Sequence, residues 1–402
     1  MPNSETPPSD RAPMAPTRNT ADVIAATAVR LGAAHLFELM GASNMRVVHG
    51  FEQAGAELHH FRDENGAVGA ADGYARATGE VGWSSVVHGP GFTNTLTALR
   101  TAVKARSPLV LIMADTTNTP PRNAPFEVGN QGLRPDVLLA ELGVIVVRAT
   151  VASAAQDTVA AYHAARRGRI PVALVIPHGA ESQPSASDVE AAVAALPAIP
   201  SPPAPAETEV RNAERAIRAA ERIVILAGRG ASNPASARRL ERLAECTGAY
   251  LATSVKGIGA FDDSPASLGI FGGFTSDAGT SIIHEADCIL AFGVSLNPIQ
   301  TRRSTFLAGA TVVQIDTDPQ ALGRYDRADV TVLGDSRAVA DELIARLEAA
   351  PLEPARSLPA APARMGSTFT DVSTPGQLDP RALAAELDRL LPTERAAVVD
   401  GG

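Results

Sequence analysis

Short, near-continuously apolar runs of strand length recur along the chain, and between them apolar residues return at helical spacing. In the first half the runs are Ser84–Val87, Leu109–Ala114, Val144–Val147 and Val172–Ile176. One helix is expected to start at a Thr20 cap with Ile24, Ala28 and Leu31 on one face. A second carries Ala67, Ala70, Ala71 and Tyr74, and a third follows Gly91 with Leu96, Leu99 and Val103. This alternation predicts βαβ units around a parallel sheet covered on both faces, so the fold class is α/β.

The pattern breaks at residues 183–207, where Pro197, Pro200, Pro202, Pro203 and Pro205 argue against a regular element and mark a linker. A second α/β domain is expected over 208–350. Its elements are a helix at Ala213–Ala220 and strands at Ile223–Leu226, Tyr250–Thr253, Cys288–Phe292, Thr311–Ile315 and Val330–Leu333. Another Pro-rich linker spans 351–379. After it, 380–402 reads as a helix from Pro380 to Leu391 and a strand at Ala396–Val399 running into Asp400-Gly401-Gly402. Some twenty residues cannot bury a core of their own, so this last segment is expected to open a third domain. Residues 1–18, polar and Pro-rich, read as a disordered tail preceding a first domain at 19–182.

With 402 residues, 45% hydrophobic and 20% charged, the chain fits two or three globular domains. Its net charge of −9 gives no footprint for nucleic acid or an anionic membrane, and no apolar run reaches the roughly 18 residues of a membrane span. Small molecules are the expected ligands. Cys246 and Cys288 lie in apolar segments far from any second thiol, so both are expected in the core of a cytoplasmic protein. His59 and His60 are consecutive in an expected strand and face opposite ways, so they do not make a two-histidine metal site by themselves; no metal ligand is assigned.

Candidate chemistry concentrates in Phe61–Asn94. Glu64 stands at the start of the second helix, where a carboxylate also serves simply to complement the helix dipole. The strand Ser84–Val87 runs into His88-Gly89-Pro90-Gly91, a glycine-rich turn at the carboxyl end of a parallel strand, the usual place for an α/β site. The order Arg62-Asp63-Glu64-Asn65-Gly66-Ala67, then Ala71-Asp72-Gly73-Tyr74-Ala75-Arg76-Ala77-Thr78-Gly79, then Gly89-Pro90-Gly91 with Asn94, resembles the pyrimidine-binding domain of thiamine-diphosphate enzymes of the acetohydroxyacid synthase group. Residues 213–347 resemble that family's central domain.

The resemblance implies two doubly wound parallel-sheet domains, one pyrimidine-binding and one Rossmann-like, with the stub of a third. It implies thiamine diphosphate with Mg²⁺, whose ligands lie in the family's third domain, and Glu64 as the catalytic carboxyl on the aminopyrimidine ring. There it would favour the imino tautomer, so that the cofactor's own nitrogen takes the proton of the carbon acid. Gly89, Pro90, Gly91 and Asn94 would line the pyrimidine. His88 replaces a more usual serine and stands either as a proton relay for a bound 2-oxo acid or as a hydrogen-bonded structural residue. Glu127 occupies the place of a glutamine in many relatives, with Gln131 four residues on; a negative charge there opposes an anionic substrate unless it is protonated or paired.

Gly228 and Gly230 follow a strand, as in a nucleotide-binding turn, and with Asp316 they mark the place where some synthases hold FAD. Ser295-Leu296-Asn297-Pro298-Ile299 stands where those synthases have Arg-Phe-Asp-Asp-Arg, which argues against flavin and for a scaffold that binds nothing. The implied activity is decarboxylation and carboligation of 2-oxo acids by a homodimer or homotetramer. The alternatives are a simple 2-oxo acid or acyl-CoA decarboxylase, and a truncated or split subunit that needs a partner to supply the diphosphate domain.

Overall fold

The computed structural model describes residues 18–115, 133–353, 356–362 and 369–396. The chain divides into two compact units, residues 1–200 and 201–402.

The first unit runs α1 (Thr20–Arg30), β1 (His35–Glu38), α2 (Met45–Ala54), β2 (Glu57–His60), α3 (Glu64–Thr78), β3 (Gly82–Ser85), α4 (Pro90–Asn94), α5 (Leu96–Ala105), β4 (Leu109–Asp115), α6 (Pro135–Leu142), β5 (Ile145–Arg148), α7 (Ala154–Gly168), β6 (Pro171–Pro177) and α8 (Val189–Ala194). All six strands are parallel, in the order β2-β1-β3-β4-β6-β5. β4 is buried along its whole length, and its residues alternate between two apolar layers. Val110 and Ile112 pack with Ile24, Phe51 and Trp83 under α1, α2 and α7. Leu109, Leu111 and Met113 pack with Val68, Phe92 and Leu99 under α3 and α5. A strand covered on both faces has no polar face to show, which is why its sequence is apolar from Leu109 to Ala114, with the buried Asp115 at its end paired to Arg148.

Several local expectations need correction. α1 is capped by Asn19, not Thr20: Asn19 and Asp22 exchange side-chain and backbone hydrogen bonds in a capping box, and Thr20 is already helical and buried. The linker expected at 183–207 contains α8, capped by Asp188, with Val189 and Ala192 in the first unit's core. The prolines cluster after Leu196, leaving 189–194 free to be helical. Cys246 is only partly buried at the margin of the second unit's core, whereas Cys288 is fully buried. The tail up to residue 17 and the expected strand and Asp-Gly-Gly of 397–402 lie outside the described residues.

The second unit runs α9 (Glu207–Ala219), β7 (Ile223–Ala227), α10 (Pro234–Thr247), β8 (Tyr250–Thr253), β9 (Ser267–Ile270), α11 (Asp277–His284), β10 (Cys288–Phe292), β11 (Thr311–Asp316), β12 (Val330–Leu333), α12 (Ser336–Ala349) and α13 (Pro380–Leu390). Its parallel sheet has the order β12-β11-β10-β7-β8-β9, that of a doubly wound dinucleotide-type fold. α13 buries none of its residues. Among the described residues no helix is long and apolar enough to cross a membrane.

Candidate active site

In an open parallel sheet, the crevice for a ligand lies at the carboxyl ends of the strands where the order reverses. In the first sheet that place is between β1 and β3, where Glu38 pairs with Ser85. Three connections converge there. The loop after β1 is pinned by Asn44, whose Nδ2 donates to Leu39 O at 3.2 Å and Ser85 Oγ at 3.1 Å, while its Oδ1 accepts from Gly41 N at 2.8 Å. After β2 the chain turns into α3, where Asp63 is the N-cap and Glu64 the first helical residue.

Glu64 does more than complement the helix end. Its side chain points inward, leaving the residue only 8% exposed, and Oε2 accepts a hydrogen bond of 2.9 Å from Asn94 Nδ2. Among the described residues, Oε1 accepts no hydrogen bond. The adjacent Asn65 accepts from Ala98 N at 2.9 Å, which ties the start of α3 to α5.

After β3 the turn expected to begin at His88 is in place. Gly89 has φ 68°, a conformation suited to glycine, and Pro90 occupies the first turn of α4, where its missing N–H costs nothing. Gly91 is required for space: a Cβ there would lie 2.4 Å from Val87 Cγ2 and 3.0 Å from Glu64 Oε1. Val87 is held on its other side by Gly41, whose own Cβ would lie 2.5 Å from Val87 Cγ1. The structure therefore brings Glu64, Gly89, Pro90, Gly91 and Asn94 together. His88 is buried beside them, its ring 5.8 Å from that of His178, and it borders a small concavity with Phe92, Met113 and Asp115. Glu127 and Gln131 lie outside the described residues.

Two site features were not read from the sequence. Glu38 is fully buried at the switch point; one carboxylate oxygen meets His60 Nδ1, and Oε2 has no partner among the described residues. Asn44 staples the neighbouring loop. Both follow from the pairing of β1 with β3, and only the Gly41-Ala42-Ser43-Asn44 turn after an apolar pair hinted at them.

In the second sheet the order reverses between β7 and β10, and Gly228 and Gly293 meet there. A Cβ on Gly228 would lie 2.1 Å from Gly293 O. Gly228 N donates to Phe292 O at 2.8 Å and Gly230 N to Gly293 O at 3.3 Å. Both amides are bonded to carbonyl oxygens, so Gly228 and Gly230 pack two loops together and neither amide is available to a phosphate. Asp316, at the end of β11, accepts from Asp318 N at 3.0 Å in a local turn.

Comparison with known proteins agrees with this division. Residues 18–123 match the model "Thiamine pyrophosphate enzyme, N-terminal TPP binding domain", and residues 210–343 match "Thiamine pyrophosphate enzyme, central domain". The chain is 30% identical over 332 residues to an acetolactate synthase of Arthrospira platensis, covering 79% of this chain and 56% of that protein. It is 28% identical over 336 residues to a probable acetolactate synthase large subunit of Methanocaldococcus jannaschii, with the same two shares. To a probable chloroplastic acetolactate synthase 2 of Oryza sativa subsp. japonica it is 30% identical over 352 residues, covering 85% of this chain and 51% of the relative. The chain thus spans about half the length of the curated relatives it matches. With a buried glutamate at the switch point of the first sheet and both domain models matched in order, the chain belongs to the thiamine pyrophosphate enzymes and carries their N-terminal and central domains.

Proposed function

We propose that the protein acts on 2-oxo acids with thiamine diphosphate and Mg²⁺, decarboxylating one and joining the remainder to a second, as acetolactate synthases do. One observation supports this above the others: Glu64 is buried at the strand switch point with Oε2 held by Asn94 and Oε1 facing the space that Gly91 leaves open. Such a carboxyl fits the ring nitrogen of an aminopyrimidine, which it would meet through Oε1.

When bound, thiamine diphosphate would supply a carbon acid whose deprotonated form is a nucleophile towards the 2-oxo acid, and a ring that takes up the electron pair left when CO2 departs. The chain's own residues then have distinct tasks. Glu64 shares a proton with the pyrimidine ring nitrogen and so sets its tautomer. Asn94 fixes the carboxyl's rotation, and Gly91 removes the side chain that would displace it. His88 stands on the substrate side, and Glu127 and Gln131 are assigned there from the sequence. The central unit serves as a scaffold. Mg²⁺ is proposed with the diphosphate, without a ligand among the residues named above. The assembly is proposed to be a cytoplasmic homodimer or homotetramer.

Glu127, where the family resemblance leads one to expect a glutamine, favours a second reading, simple decarboxylation. Products decide between them. The protein incubated with pyruvate, thiamine diphosphate and Mg²⁺ is expected to form acetolactate; acetaldehyde without a coupled product supports the second reading. Failure to consume pyruvate or any other 2-oxo acid while the cofactor is bound contradicts both.

A further inference from the structure

The amino end of the first sheet carries a second constellation, unrelated to Glu64. β1 and the edge strand β2 run in parallel register with His35 opposite Glu57 and Phe37 opposite His59. Residues two apart on a strand share a face, so Glu57 and His59 project together and His35 joins them from the neighbouring strand. His60, next in sequence, turns the other way and meets Glu38. The sequence could not pair His35 with His59 because 24 residues and a helix separate them.

The separations from His35 Nδ1 to the other two groups suit a coordination sphere. His35 Nδ1 lies 3.1 Å from His59 Nε2 and 3.4 Å from Glu57 Oε2, and one ligand atom from each residue lies within 4.8 Å of the others. Zinc–nitrogen and zinc–oxygen bonds of about 2.0–2.1 Å in a tetrahedron set neighbouring ligands about 3.3–3.4 Å apart. Two of the three separations fall near that edge length. Both imidazoles are also held in orientation. His59 stacks on Phe37 with ring centroids 4.9 Å apart and planes at 16°, and Tyr74 of α3 meets His35 edge-on at 5.3 Å. Without a cation, His35 Nδ1 faces an imidazole nitrogen and a carboxylate oxygen and has one proton at most to share between them.

We propose that His35, Glu57 and His59 bind a divalent transition-metal ion, with zinc as its representative and water in the fourth position. Two imidazoles and one carboxylate suit zinc and its neighbours in the first transition row, not Mg²⁺, which prefers six oxygen ligands. The site is therefore distinct in chemistry from the Mg²⁺ proposed with the diphosphate. It would clip edge strand β2 to β1, and it holds or fails independently of the thiamine reading.

The test uses the untagged 402-residue chain, stripped with a chelator and titrated with Zn²⁺ against a chromogenic competitor in millimolar Mg²⁺. One tight zinc per chain is expected. Even residues that only support metal ligands cost about 10–100-fold in affinity when replaced, so His35→Gln and His59→Gln should each weaken binding at least tenfold. His49→Gln, which removes an exposed histidine 3.5 Å from Glu52, should leave it unchanged. X-ray absorption at the zinc edge of the unaltered chain should show two imidazoles, a readout that needs no variant to fold. Absence of saturable binding, binding indifferent to both substitutions, or a shell with fewer than two imidazoles overturns the proposal.

Discussion

Replacing Gly91 by alanine probes the packing that sets Glu64. α4 is helical at this position, so an added methyl that met no obstacle would stabilise the unit by about 0.4–1 kcal/mol through the unfolded chain. Here the built Cβ lies 2.4 Å from Val87 Cγ2, against an ordinary carbon–carbon contact of about 3.5–4.0 Å. Val87 must yield by about 1 Å, yet its other methyl already faces Gly41. Overpacking of this kind costs about 1–3 kcal/mol, so the net expectation is a loss of about 1–2 kcal/mol. The same Cβ stands 3.0 Å from Glu64 Oε1, so the carboxyl shifts as well. That shift is a few tenths of an ångström, so cofactor activation should fall by less than the roughly hundredfold loss that a 1 Å misplacement costs. Trp83 is the chain's single tryptophan and is buried in the first unit, so its fluorescence during urea unfolding reports on this unit alone. Gly73→Ala in α3 is the control, since nothing lies within 4 Å of its Cβ, and it should stabilise by about 0.5–1 kcal/mol. If Gly91→Ala stabilises as Gly73→Ala does and leaves activity intact, the packing argument is wrong.

Other consequences are as direct. Asn94→Ala removes the donor to Glu64 Oε2 and leaves that buried oxygen without its partner, so Trp83-monitored unfolding should show a loss of about 1–3 kcal/mol and cofactor activation should slow about ten- to a hundredfold. Gly228→Ala drives a Cβ to within 2.1 Å of Gly293 O, where backbone cannot yield as a side chain does; circular dichroism should show the second unit destabilised by about 3 kcal/mol while Trp83 reports an unchanged first unit. Burial pushes the Cys288 thiol up to about 12, so a thiol reagent at pH 8 should label the partly exposed Cys246 first, although its thiol is also raised, and reach Cys288 only on unfolding.

Much of the fold was legible because strands buried on both faces are almost wholly apolar, as in β4, β6, β7 and β10. β1 and β9 were not. His35-Leu36-Phe37-Glu38 and Ser267-Leu268-Gly269-Ile270 are short and mixed, and they become strands because neighbours offer them hydrogen bonds. α8 was hidden by the prolines that follow it. In the site, Glu64 and the Gly89–Asn94 turn were legible because their spacing is local. Glu38, Asn44 and the His35–His59 contact were not, since they arise from strand register. The glycines of the second unit carry a further message: Gly228 and Gly230 suggest a phosphate turn in one dimension, and in three they also leave room for the loop at Gly293.

The central claim is that the Glu64 carboxyl activates the cofactor. Exchange of the thiazolium C2 proton for deuterium, followed by nuclear magnetic resonance in the assembled protein with thiamine diphosphate and Mg²⁺, measures this before any substrate chemistry. Glu64→Gln keeps the shape of the side chain and removes its acid, and exchange should slow by about a hundredfold to ten-thousandfold with cofactor still bound. Exchange at the unaltered rate in Glu64→Gln would contradict the account.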